Sequence, residues 1–238
     1  MITVTTTGVA FIFISVGVAL CGFRFIYVFK KDNSHDSRKL SLLIGMSFLS
    51  SATHGGLLGI GALFFLDNYS VLSFIALGAQ VFLIAFATVS VFTVFYVLYP
   101  KLNKYLASAI PLFLGLASIF VYVVEKPQPY LVENNVSWDL SYLLSVLTFY
   151  LFFLAFGALF GLFAQLAYLS KSTEVRVLAC VISVLVVLGL INVYLNLILF
   201  YGGRTMGGFS GIDFLNTGLL VIGVAFIGLI SYMHFVKK

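Results

Sequence analysis

Seven apolar runs, roughly residues 7–29, 40–65, 71–99, 105–124, 142–169, 177–201 and 212–235, constrain this chain more than any other feature. About 20 consecutive apolar residues in a helix cross a hydrocarbon layer of roughly 30 Å. Without water in that layer, backbone N–H and C=O groups must pair within each segment, which a helix does by itself. Barrel strands would need an alternation of polar and apolar residues, and the runs lack it. Only 9% of residues are charged, against about 25% in soluble domains. The expectation is therefore an all-α, polytopic membrane protein: a single seven-transmembrane helix bundle over residues 1–238. The N-terminus "MITVTTTGVAFIF" lacks the basic start of a signal peptide, so the first run reads as a retained helix.

The breaks between runs set the sidedness. Cytoplasmic loops carry the excess of Lys and Arg. With the N-terminus outside and the C-terminus cytoplasmic, all but Lys126 and Arg204 of the 13 basic residues fall inside. The outer side holds Asp67, Glu125, Glu133, Asp139 and Asp213 of the eight acids. The net charge of +5 is thus an expression of membrane orientation, and no nucleic-acid partner is expected. The expected surroundings are a lipid bilayer and other membrane proteins, in a prokaryotic inner or plasma membrane. The longest break, 125–141, is long enough for a mouth or a lid and too short for a domain.

Within the second run, "SSATHGGLLGIGALFF" places a histidine and several glycines in a span. Gly55 and Gly59 form a GxxxG pair, as do Gly157 and Gly161 in the fifth run. Such pairs let helices approach closely, within one chain or between chains. Ser47, Ser50, Ser51 and His54 share one helical face. His54 reads either as a ligand contact or proton-sensitive switch, or as one satisfied hydrogen bond between helices.

Other polar residues lie at comparable depth: Gln80 in the third run, Asn192, Tyr194 and Asn196 in "INVYLN", and Asp213 and Asn216 opening the seventh. Together with His54 they suit a polar cavity opening outward, and equally a set of interhelical hydrogen bonds. Cys21 and Cys180 lie in apolar runs and read as small buried hydrophobes. No metal site, cofactor or catalytic residue is expected. A bis-histidine haem needs a second embedded histidine, no GxSxG or phosphate-loop motif occurs, and the seventh run has no lysine for a retinal Schiff base.

The short basic loop after "FRFIYVFKK", the "YPKLNK" end of the third run and the "ISYMHFVKK" exit of the seventh add a pattern to the seven-span topology. In these features the chain resembles the seven-transmembrane N-terminal sensor region of bacterial and archaeal histidine kinases. The resemblance implies a non-catalytic sensing or signalling module. It differs in that no kinase domain follows Lys238, so such a module is expected to act through a partner. The functional expectation is a non-enzymatic membrane sensor or a subunit of a larger membrane complex. The alternative is a small-solute transporter or permease with an outward-facing polar cavity.

Overall fold

The computed structural model describes residues 5–31, 35–132, 135–199, 205–206 and 209–235. It contains seven helices: α1 (Thr6–Lys31), α2 (His35–Phe64), α3 (Tyr69–Val97), α4 (Lys104–Glu125), α5 (Tyr142–Leu169), α6 (Thr173–Tyr194) and α7 (Gly211–Phe235). A π-helical turn, Leu195–Leu199, continues α6. Six of the helices are long and apolar enough to cross a membrane, and α7 contributes a shorter apolar stretch, Leu215–Gly228, among the described residues. The polypeptide is a helical bundle with the lengths and composition of an integral membrane protein.

The polar breaks supply the helix caps. A helix leaves its first N–H groups without internal partners, and Ser, Thr, Asn or Asp oxygens satisfy them. The Asn68 side chain accepts from Val71 N–H, Asn103 from Tyr105 and Leu106, Ser141 from Leu144, and Ser172 from Val175. Thr5 Oγ1 accepts from Gly8 N–H and donates to the Ala62 carbonyl at 2.9 Å, fixing the start of α1 to the end of α2. At its other end α4 stops in the left-handed residue Lys126 (φ 49°), directly before Pro127, which cannot continue a helix.

Among the described residues two small antiparallel hairpins sit in the connections, and neither was expected from the sequence. β1 (Pro129–Val132) pairs with β2 (Asn135–Trp138), and β3 (Thr205–Met206) with β4 (Phe209–Ser210). The first hairpin is anchored to the bundle. Val136 N–H donates to Thr7 Oγ1 at 3.1 Å, and Val136 packs with Ala62, Leu66 and Leu72.

Around the bundle, α1, α2, α3, α5, α6 and α7 follow one another in a ring closed by α7 against α1, and α4 packs on α3 and α5 from outside. α1 and α2 make the closest approach. A Cβ on Gly22 would stand 3.1 Å from the Gly45 carbonyl oxygen, and one on Gly45 3.0 Å from that of Gly22. Gly59 opens α2 in the same way to Ile12 of α1, 2.9 Å from where a Cβ would lie. In the half of the bundle away from the first hairpin, Phe48 forms an aromatic cluster. Its ring lies 5.8 Å from Phe25, 6.3 Å from Phe163 and 6.1 Å from Phe226, binding α1, α2, α5 and α7. Aromatic pairs at such separations add to the burial of their area.

Candidate functional site

Above the Phe48 cluster the ring of helices encloses a cavity of about 480 Å³. Phe48 and Phe226 form its floor, and Trp138, the last residue of the first hairpin, lies at its other end with Asp139 and Leu140. Its walls are mostly aromatic and aliphatic: Phe11, Phe86, Phe152, Phe156, Leu159 and Ile222 are among them. Ligand sites are typically apolar chambers with a few placed polar groups, and the polar groups here come from six helices, α1 to α6.

His54 of α2 is buried, with its ring edge-on to Phe152 at 5.5 Å. Its Nδ1 lies 2.8 Å from the carbonyl oxygen of Ala79 on α3. A carbonyl only accepts, so Nδ1 carries the hydrogen and donates it. In the neutral ring Nε2 is then an acceptor, and no hydrogen bond among the described residues engages it.

Gln80, the next residue on α3, donates from Nε2 to Ser118 Oγ of α4 at 2.9 Å, and Ser118 donates onward to the Gly115 carbonyl at 2.8 Å. Asn192 of α6 donates from Nδ2 to the Leu215 carbonyl of α7 at 3.2 Å. Asn196 lines the same wall from the π-turn. Such turns are frequent at functional sites because the wider winding re-aims side chains.

The structure therefore brings His54, Gln80, Asn192 and Asn196 to one cavity. Gly55 lines it as well. Tyr194 does not. It lies two residues from Asn192, about 200° around the helix, is 44% exposed, and meets Phe149 edge-on at 5.8 Å. Sharing a short motif with two asparagines did not put Tyr194 on their face. Asn216 is buried but lies outside the cavity lining. Its Nδ2 donates to Thr7 Oγ1 at 3.4 Å, tying α7 to α1 at the hydroxyl that also holds the hairpin. The Asp213 side chain lies outside the described residues.

The two glycine pairs have different surroundings. Gly55 and Gly59 face α1, with Ser15 Oγ 2.6 Å from where a Cβ on Gly55 would be. Around Gly157 and Gly161 no atom lies within 4 Å of such a Cβ, so this pair packs no helix among the described residues.

Several polar and aromatic cavity residues went unrecognised in the sequence, among them Thr7, Ser15, Tyr122, Trp138, Ser145 and Thr148. Ser15 sits in "FIFISVGVAL", where one hydroxyl in an apolar run gives no facing information. Its Oγ is buried and has no hydrogen-bond partner among the described residues. A helical serine normally bonds back to its own helix, as Ser47 and Ser183 do here. Tyr122 enters from α4 and donates to the Ser73 carbonyl at 3.2 Å.

Among the described residues no Lys or Arg lines the cavity, and Asp139 is the one carboxylate that does. Among the described residues no group of three His, Cys, Asp or Glu side chains could hold a metal ion. No protein-family model, curated protein or solved structure matches the chain.

Proposed function

We propose that this protein is a non-enzymatic membrane sensor whose ligand occupies the cavity beside His54, with the N-terminus outside and the C-terminus in the cytoplasm. The observation that carries the reading is a chamber of ligand size, floored by Phe48 and Phe226 and lined by polar atoms from several helices. A molecule touching α1, α2, α3 and α6 together can favour one arrangement of those helices over another, which is what signalling across a bilayer requires. The likeness to kinase sensor regions agrees with this role, as does the placement of most Lys and Arg residues in the loops assigned to the inside. The signal would pass to a partner membrane protein, and the uncovered Gly157/Gly161 face of α5 is compatible with such packing.

The transporter alternative draws on the same cavity. A transported solute would have to pass the Phe48 cluster, whose four interlocked rings close the other end. The sensing reading needs no such passage.

Native mass spectrometry of the protein released in mild detergent tests the proposal. The expected result is a small molecule retained by the wild type and lost from Ser51→Phe, whose ring fills the cavity. Wild-type protein that retains no such molecule, and whose vesicles instead pass solutes in a His54-dependent way, would sink the sensing role and favour transport.

A further inference from the structure

Three polar side chains of the cavity share one bonding pattern. His54 gives its Nδ1 hydrogen to the Ala79 carbonyl, Gln80 gives an Nε2 hydrogen to Ser118, and Asn192 gives an Nδ2 hydrogen to the Leu215 carbonyl. In each, the protein engages a donor, and among the described residues no hydrogen bond takes up His54 Nε2, Gln80 Oε1 or Asn192 Oδ1, which are acceptors. Ser15 adds a hydroxyl that is buried, unpartnered and directly across from Gly55, the neighbour of His54. A buried polar group without a partner is costly, and a ligand hydroxyl would relieve that cost by donating to Nε2 while accepting from Ser15.

The charges point the same way. Among the described residues an anion entering the cavity would meet no cation on its walls and would pass the Asp139 carboxylate. The phenylalanine walls favour an aromatic or hydrocarbon body.

We propose that the cavity selects an uncharged, chiefly apolar molecule bearing a hydrogen-bond donor such as a hydroxyl, held between His54 Nε2 and Ser15 Oγ. This rests on the sensing reading's claim that the cavity is a ligand site, and adds the chemistry of the ligand.

A matched set of probes separates the two claims: naphthol, its methyl ether and naphthoate share one ring system and differ in donor and charge. Trp138, the chain's lone tryptophan, lines the cavity and reports binding by energy transfer to the ring system. Titrations use the full chain in detergent, with Ser51→Phe as the measure of partition into micelles. Naphthol should bind about tenfold more tightly than the ether, the effect of one well-placed hydrogen bond, and naphthoate should not exceed the micelle background. Ser15→Ala removes a hydroxyl that bonds nothing among the described residues, so it should fold normally and narrow the gap between naphthol and ether. His54→Phe should abolish the gap. Equal binding of naphthol and ether, or tighter binding of naphthoate, overturns donor selection while leaving the cavity as a ligand site. Failure of all three probes to exceed background overturns both claims.

Discussion

The imidazole of His54 on α2 is held by the backbone of Ala79 on α3: Nδ1 lies 2.8 Å from the Ala79 carbonyl oxygen. That one bond sets the tautomer, leaves the other ring nitrogen as an acceptor, and ties two helices at the residue before Gln80. Gln80 in turn reaches α4 through Ser118. A polar chain thus runs from α2 through α3 to α4 inside an apolar bundle.

Breaking the first link should be measurable. His54→Ala removes the bond to Ala79 and the ring contact with Phe152. Interhelical hydrogen bonds in membranes contribute about 0.6 to 2 kcal/mol, so unfolding in mixed detergent micelles should show a loss of at least that size. A variant as stable as the wild type would mean that the bond does not hold the helices together.

The glycines should divide sharply. Gly22→Val places its side chain against the Gly45 carbonyl, at 3.1 Å already for its Cβ. Overpacking of this kind costs about 1 to 3 kcal/mol. Gly157→Ala and Gly161→Ala meet nothing within 4 Å and should change monomer stability by less than about 0.5 kcal/mol. The same unfolding assay, run on all three variants, checks the contrast; equal losses would contradict the packing described.

Asn192 and Gly218 should be coupled. A Cβ on Gly218 would lie 2.7 Å from the Asn192 amide nitrogen, and that amide donates to Leu215 on the same helix as the glycine. Gly218→Ala should therefore destabilise the wild type and do less damage once Asn192→Ala has cleared the space. A double-mutant cycle reads the coupling, expected at about 0.5 kcal/mol or more. Strict additivity would show that the two residues do not share the contact.

Sidedness is open to direct labelling. A cysteine replacing Lys126, at the end of α4, should react with an impermeant reagent added outside intact cells. One replacing Lys171, between α5 and α6, should react only after the membrane is opened. Both labels appearing from one side would reverse or dismantle the proposed topology.

The sequence by itself determined that the chain forms apolar helices of membrane-crossing length and placed most of their starts within two residues, while α2 and α6 begin at His35 and Thr173, in the polar breaks ahead of their apolar runs. The transfer energy of an apolar run adds up residue by residue along the chain, and Asn68, Asn103, Ser141 and Ser172 satisfy orphan N–H groups within their own first turns. Both are local quantities. Tertiary structure alone decided which polar groups meet. Whether a residue faces a cavity, a neighbouring helix or the outside depends on each helix's rotation and closeness to its neighbours, and these are settled by contacts such as Gly22 against Gly45. Hence Asn192 and Asn196 share the chamber with His54 while Tyr194 between them turns away, and Ser15, silent in its apolar run, lies across from Gly55.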